Sequence, residues 1–395
     1  MGFLSGPVTY QRFFISGSSP KEIDDTFVNA LNQRAFGRVV ALPDETQHGW
    51  VGPEHLMQTE LTGEMIGFGD RALLGIRVDS LKAPPAVVKA YAAMEEQAAL
   101  EASGRSFLSK GERRKVKAAA VERAEQEARG GAFRRMAMYP LLVDLAARRV
   151  YLGGLSASLA ERVMHLFSDT FGCALEPADA GNVAVRLMTA AKNARALEHL
   201  RPCHFVRPPD EYEESAEFGR DELRFLGREF LTWLWRRTDD GDAPLRVAGG
   251  DDVTVMFEKS VRLACDFGLT GSDVITADAP TSLPEARAAL RIGKQPTKAG
   301  LIVGSPLGEF RLTLDAARMC VSSLTLPEPP GEQDRRERIE SRLDLICDAA
   351  DLLDALFDVF LQERVASDWA GTQREIAAWV AGDQDAPRTH RVVSA

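Results

Sequence analysis

Residues 84–131 restrict the fold more than any other stretch. Pro84-Pro85 opens a helical run that extends to about Ala102 and is stopped by Ser103-Gly104. A second run begins after Ser109 and ends at Gly130-Gly131. Ser109 followed by Glu112 is a capping box, so the second helix is predicted to start at Lys110. The second run is mostly alanine outside its charged positions and carries little apolar surface, and the two runs together predict a long helical hairpin. The second run is also where the chain turns basic. Within 104–135, Arg105, Lys110, Arg113, Arg114, Lys115, Lys117, Arg123, Arg129, Arg134 and Arg135 stand against Glu112, Glu122, Glu125 and Glu127. This excess of +6 sits in a chain of formal net charge −10, so the remainder carries −16. A cationic strip on an acidic body suits an anionic partner that meets one face.

The spacing adds detail. Lys110, Arg113, Arg114 and Lys117 fall at i, i+3, i+4 and i+7, on one side of the helix. A helix presenting cations on one side and packing lightly on the other suits a phosphate backbone. The bland alternative is a solvated helix face laced with Glu/Lys/Arg pairs. Phe133-Arg134-Arg135 follows the terminating glycines and precedes a strand, which places its arginines at a rim suited to an interface or to phosphate.

At 395 residues, 45% of them hydrophobic, the chain has ample material for more than one core. No run reaches the roughly 20 apolar residues of a membrane span, and residues 1–14 lack the basic-then-apolar pattern of a signal peptide. No membrane is expected, and the acidic total argues weakly against indiscriminate nucleic-acid binding. Cys173, Cys203, Cys265, Cys320 and Cys347 are scattered and odd in number, which reads as reduced, mostly buried thiols in a cytosol.

The pattern along the chain predicts an α+β fold of antiparallel sheets and helices. Strands are expected at 8–15 and 38–42, a helix from Pro20 to about Gln33, a loop at 48–53, and a hairpin of 65–68 with 72–78 around Gly69-Asp70. After the helical hairpin come strands at 136–145 and 148–153 and an amphipathic helix at 158–171, with 175–177 closing that unit. Helices follow at 184–200, 221–237, 283–291 and 334–363. Strands are expected at 253–257, 261–265, 299–303, 309–314 and 319–324. Residues 207–209 read as a connector, 327–330 as a linker and 382–395 as disordered tail. The corresponding divisions are 1–83, a basic hairpin 84–131, a second αβ unit 132–180, a Trp-rich α+β region 181–330, a long helix 331–368 and a tail 369–395.

Enzymatic chemistry finds little footing. His48/His55 and His199/His204 lack zinc spacing, and neither a P-loop nor a G-x-S-x-G elbow is present. Asp239, Asp240, Asp242, Asp251 and Asp252 form a loop-like carboxylate run that could hold Mg²⁺, which leaves a metal-dependent nuclease as an alternative. No catalytic residue, metal ligand or cofactor is assigned. Trp233 and Trp235, two apart on a helix, point to different faces, so one is expected in the core while the other could stack on a base.

The order of the pieces resembles the recombination-associated protein family RdgC. The resemblance is carried by Gly49-Trp50-Val51-Gly52-Pro53, by Pro85-Ala86-Val87-Val88-Lys89 opening a helix, and by the Lys/Arg-rich helix. Ala132-Phe133-Arg134-Arg135 leading into a strand that ends in Asp144, Leu166-Phe167, residues 293–299 and the helix at 334–361 complete it. It covers roughly residues 5–365, in patches. It implies a protein without catalytic chemistry, whose horseshoe-like subunits pair into a ring. Duplex DNA would thread the ring with little sequence preference, restraining RecA-type strand exchange in the cytoplasm and nucleoid. By resemblance, double-stranded DNA meets Lys110, Arg113, Arg114, Lys115, Lys117 and Arg134, while Phe133 and Arg135 map near the contact of a homodimer. This sequence departs from the family at 275–280, where the family has a lysine-rich gate and this chain reads Ile-Thr-Ala-Asp-Ala-Pro. The Trp-rich stretch 207–245 and the tail after Trp369 are also longer than expected. A scaffold whose charged hairpin binds an acidic protein is the remaining alternative.

Overall fold

The computed structural model describes residues 2–38, 46–209, 223–239, 244–265, 267, 271–328 and 334–382. The chain folds as mixed α+β with extensive antiparallel sheet, in two compact units that are each discontinuous in sequence. No helix among the described residues is long and apolar enough to cross a membrane. The predicted strand at 38–42, the linker at 327–330 and the tail at 382–395 fall largely or wholly outside the described residues.

The unit holding residues 17–147 and 158–174 contains the helical hairpin. Its sheet pairs β2 (Gln47–Val51) with β4 (Arg71–Ser80) and β4 with β5 (Arg135–Asp144), while β3 (Gly67–Phe68) adds to β4. The helices are α1 (Asp25–Gln33), α2 (Gly63–Ile66), α3 (Pro85–Ser103), α4 (Lys110–Arg129) and α5 (Ala157–Phe171). Of the loop expected at 48–53, residues 48–51 belong to strand β2 because their backbone is paired on both sides. One side is β4; on the other, Trp50 accepts from Phe36 and donates to the Arg34 carbonyl at 2.9 and 3.1 Å. Gly49 permits this approach, since a Cβ there would lie 2.6 Å from the Phe36 Cα. Trp50 is fully buried and donates its indole N–H to Thr170 at 2.8 Å, close to where Phe27 stacks on Phe171. α1 starts five residues later than Pro20 predicts, because the Asp24 side chain caps it by accepting from the Phe27 N–H.

The other unit is built on β1 (Val8–Ser16), which pairs with β6 (Arg149–Leu152), β7 (Ala174–Pro177) and β13 (Cys320–Thr325). From β13 the sheet continues through β12 (Gly308–Asp315), β11 (Lys294–Ser305) and β9 (Asp252–Cys265) to β10 (Ser272–Thr276). A short strand, β8 (Leu245–Arg246), adds to β9. The two strands expected at 253–257 and 261–265 are one strand with a bulge. Lys259 takes a positive φ of 62°, and the β11 register jumps between Ala299 and Leu301. Residues 275–280 form the end of β10 and the turn that follows it.

The helices of this unit are α6 (Ala180–Ala190), α7 (Phe225–Asp239), α8 (Pro284–Arg291), α9 (Arg335–Arg364) and α10 (Trp369–Ala381). α6 begins before the expected 184 because Asp179 caps it through the Asn182 N–H, and it ends at Ala190, short of 200. α10 occupies a stretch expected as tail. The predicted apolar side of α9 is buried from Leu343 to Phe360, and Phe230 of α7 meets Phe357 and Phe360 with ring centroids 5.2 and 5.8 Å apart. Trp233 and Trp235 are both core residues, each 1% exposed, so neither is available to stack on a base. They reach different neighbours, as their spacing requires. Trp233 donates to Glu363 at 2.9 Å, whereas Trp235 lies against Phe257 and Trp379.

Two ionic contacts are sealed into this core. Arg12 on β1 grips Asp354 on α9 with two hydrogen bonds of 2.6 and 2.8 Å, and Arg364 meets Glu229 at 2.6 Å. Removing one member of such a pair strands the other charge in a medium that solvates it poorly. We expect Asp354→Ala to lower unfolding stability by about 3–5 kcal/mol. Urea unfolding followed by tryptophan fluorescence measures this; a loss below about 1 kcal/mol would contradict the role assigned to the pair.

Candidate nucleic-acid interface

The candidate site is the hairpin of α3 and α4, inserted between the paired strands β4 and β5. These strands run in register from Arg71 opposite Asp144 to Ser80 opposite Arg135. The chain therefore leaves the sheet and returns to it at the same end, and both feet of the hairpin are fixed there. α4 starts as its sequence predicts: Ser109 Oγ accepts from the Glu112 N–H at 3.3 Å, and the Glu112 carboxylate accepts from the Ser109 N–H at 2.8 Å. It ends in a Schellman motif. Ala132 N–H bonds to the Glu127 carbonyl at 3.2 Å and Gly131 N–H to that of Ala128 at 2.9 Å, with Gly131 at a φ of 88°.

The two helices touch through small residues. Ala120, Ala124 and Ala128 are the buried residues of α4, and α3 has none that is fully buried. Such a seam lets the backbones approach but buries little apolar area, and polar contacts supplement it. Tyr91 donates to Glu127, the Arg123 guanidinium lies 4.4 Å from the Tyr91 ring centre, and Arg123 also pairs with Glu95 at 3.6 Å. Arg113 reaches Glu96 at 3.5 Å.

The cations divide into two groups. Arg105, Arg113 and Arg123 are paired with carboxylates of the hairpin itself, as the solvated-face alternative expects. Lys110, Arg114, Lys115 and Lys117 are exposed, and none of them has a carboxylate within ion-pair distance among the described residues. The expected separation into a cationic side and a packing side is corrected. Ala120 lies seven residues after Arg113, and Ala124 seven after Lys117, two helical turns in each case. The cations and the buried alanines thus share a side and are separated along the axis, cations toward the tip and alanines toward the base. Their length carries the ammonium and guanidinium groups out to solvent from that position.

Arg134 has a different occupation. Its guanidinium binds Asp79 at 2.7 and 2.9 Å, and Arg77 binds the same carboxylate twice at 2.8 Å. Asp79 is 3% exposed. Burial alone would raise its pKa, but the hydrogen bonds from Arg77 and Arg134 outweigh burial and hold it below the ordinary carboxylate range. Arg134 therefore pins the foot of α4 to β4. Phe133 is half-buried beside it, while Arg135 is exposed at the start of β5 opposite Ser80.

Nothing in the sequence pattern marks the tip of the hairpin. Phe107 is 77% exposed, beside the buried Leu108. The remaining candidates do not assemble. Asp239 is engaged by Arg287 and the Trp379 indole, and Asp240 and Asp242 lie outside the described residues. No group of three metal-ligating side chains occurs among the described residues. The five cysteines are free, and four of them are buried. No protein-family model matches the chain, and no curated protein matches it significantly.

Glu112 reports directly on the start of α4. Hydrogen bonds from Ser109, and then from Arg105, hold its pKa down to about 2, below an ordinary 4.5. A lowered carboxylate pKa stabilises the helix start above the ordinary value, and that contribution disappears as pH falls through about 2. Carboxyl-carbon NMR should find Glu112 titrating near this value in the native chain. A midpoint at 4.5 would show that the capping box and the Arg105 contact are not formed in solution.

Proposed function

We propose that the chain binds duplex DNA without sequence preference, through the tip half of α4. The observation that carries this reading is a set of exposed cations without carboxylate partners among the described residues: Lys110, Arg114, Lys115 and Lys117, in a chain that is acidic elsewhere. From 110 to 117 the helix rises about 10 Å. A duplex carries one charge per about 1.7 Å of axis, hence about six over that length. Four cations can each find a phosphate without distorting the helix. Lysine ammonium groups on long flexible stems act as point charges toward phosphate and do not by themselves read base edges, which accounts for the absence of sequence preference.

Resemblance to RdgC extends the proposal. A homodimer, with Phe133 and Arg135 near the subunit contact, would close a ring around the duplex and limit access by a RecA-type strand-exchange protein. Association with the nucleoid in the cytoplasm follows from the same reading. Arg134 acts here as an anchor, and Arg113, paired with Glu96 yet exposed, as a secondary contact once a phosphate competes for it.

Reversing Arg114, Lys115 and Lys117 together to Glu should weaken binding of a random-sequence duplex by at least 100-fold at low salt and leave the circular dichroism unchanged. The unmodified chain should show log affinity falling against log salt with a slope of about −3 to −4, from about 0.9 per phosphate neutralised. Fluorescence anisotropy across a salt series measures both. Unaltered binding by the triple variant would remove α4 from the interface.

A further inference from the structure

The hairpin tip combines an outward aromatic ring with flanking cations. The loop 104–109 is held at both ends. Gly104 closes α3 in the left-handed conformation at a φ of 62°, and Ser109 caps α4. Arg105 bonds across it to Glu112 at 2.5 Å. Leu108, 7% exposed, occupies the inward position. The 77% exposure of Phe107 is thus the outcome of a braced loop whose one buried position is already filled by its neighbour. Lys110, at the first turn of α4, and Arg114 and Lys115, one turn on, follow the ring directly.

We propose that Phe107 is a stacking residue for an unpaired or unstacked DNA base, with Lys110, Arg114 and Lys115 holding the phosphates on either side. This rests on the DNA-binding reading above and refines its substrate class to DNA with locally open bases. Base-on-aromatic stacking is sequence-tolerant and is worth about 10- to 100-fold in affinity per base. In an intact duplex that gain is largely cancelled, because a wedge must first unstack a base step. At a bulge, mismatch or strand junction the base is already available, and the gain is retained. Charge suits a nucleic acid and an anionic lipid surface alike, and the small apolar content of the tip separates them. With Leu108 turned inward, the exposed residues nearest the ring in sequence are Ser106 and Ser109, so the tip offers one exposed apolar side chain where membrane anchoring needs a broad apolar face.

The test uses the full chain and two fluorescent duplexes of about 20 base pairs. They are identical except that one carries a single unpaired 2-aminopurine. The unmodified protein should bind the bulged duplex at least tenfold more tightly, with a change in 2-aminopurine emission on stacking. Phe107→Ala should lose this preference and the emission change, and keep its affinity and salt slope on the paired duplex; Phe107→Trp should restore both. Equal affinity for the two duplexes, or a preference that survives Phe107→Ala, would overturn the proposal while leaving DNA binding by α4 intact. Failure of the unmodified chain to bind either duplex would overturn both readings. A change in molar mass by light scattering on Phe107→Ala would assign the ring to a second copy of the chain. Loss of binding to phosphatidylserine vesicles, with no change in DNA preference, would assign it to a membrane surface; either result overturns the proposal.

Discussion

Everything at the candidate site depends on how a helix with almost no apolar surface is kept in place. α4 buries only Ala120, Ala124 and Ala128, and α3 buries nothing completely. A hairpin of this kind gains little from hydrophobic burial and must draw order from its ends. The capping box at Ser109, the Schellman turn at Gly131 and the two contacts of Arg134 with one oxygen of Asp79 supply it. Because β4 and β5 pair along their whole length, both feet are fixed to one sheet. The side chains between the feet need not contribute to a core, and this leaves them open to a charged partner.

The same logic separates structural from available charge. A guanidinium beside a buried carboxylate gains most by staying there, as Arg77 and Arg134 do with Asp79. Exposed pairs such as Arg113 with Glu96 are worth little in water and can be exchanged for a phosphate at small cost. Lys110, Arg114, Lys115 and Lys117 have no such partner to leave among the described residues. Along 105–135 the cations therefore differ in commitment, from Arg134 held by a buried carboxylate, through the exposed pairs of Arg105, Arg113 and Arg123, to these four, a difference that formal charge alone does not display.

Much of this was legible in the sequence wherever local chemistry decides the outcome. Pro85, Gly104, Ser109 with Glu112, and Gly131 each act within one helical turn, and the structure follows them. The long amphipathic pattern of α9 was equally clear, because its buried stripe repeats from Leu343 to Phe360. Non-local pairing was not legible. Residues 47–51 became a strand through a contact with residues 34–36 that only Gly49 permits, and β9 passed through Lys259 because β11 carries it across a bulge. At the site, the i, i+3, i+4, i+7 spacing placed Lys110, Arg113, Arg114 and Lys117 on one side but could not show which had carboxylate partners, or that buried alanines share that side. Those partners, Glu95 and Glu96 on α3 and Asp79 on β4, come from other elements. The exposure of Phe107 has no local signal in the sequence, because it depends on the neighbouring Leu108 filling the inward position.

The most direct test of the account is lysine footprinting by mass spectrometry, with and without a random-sequence duplex. Labelling of Lys110, Lys115 and Lys117 is compared with that of Lys192, an exposed reference in the other unit. The account predicts that DNA slows labelling of the three α4 lysines several-fold and that this protection disappears as salt is raised, while Lys192 is unaffected. Labelling of the α4 lysines that is indifferent to saturating DNA would contradict it.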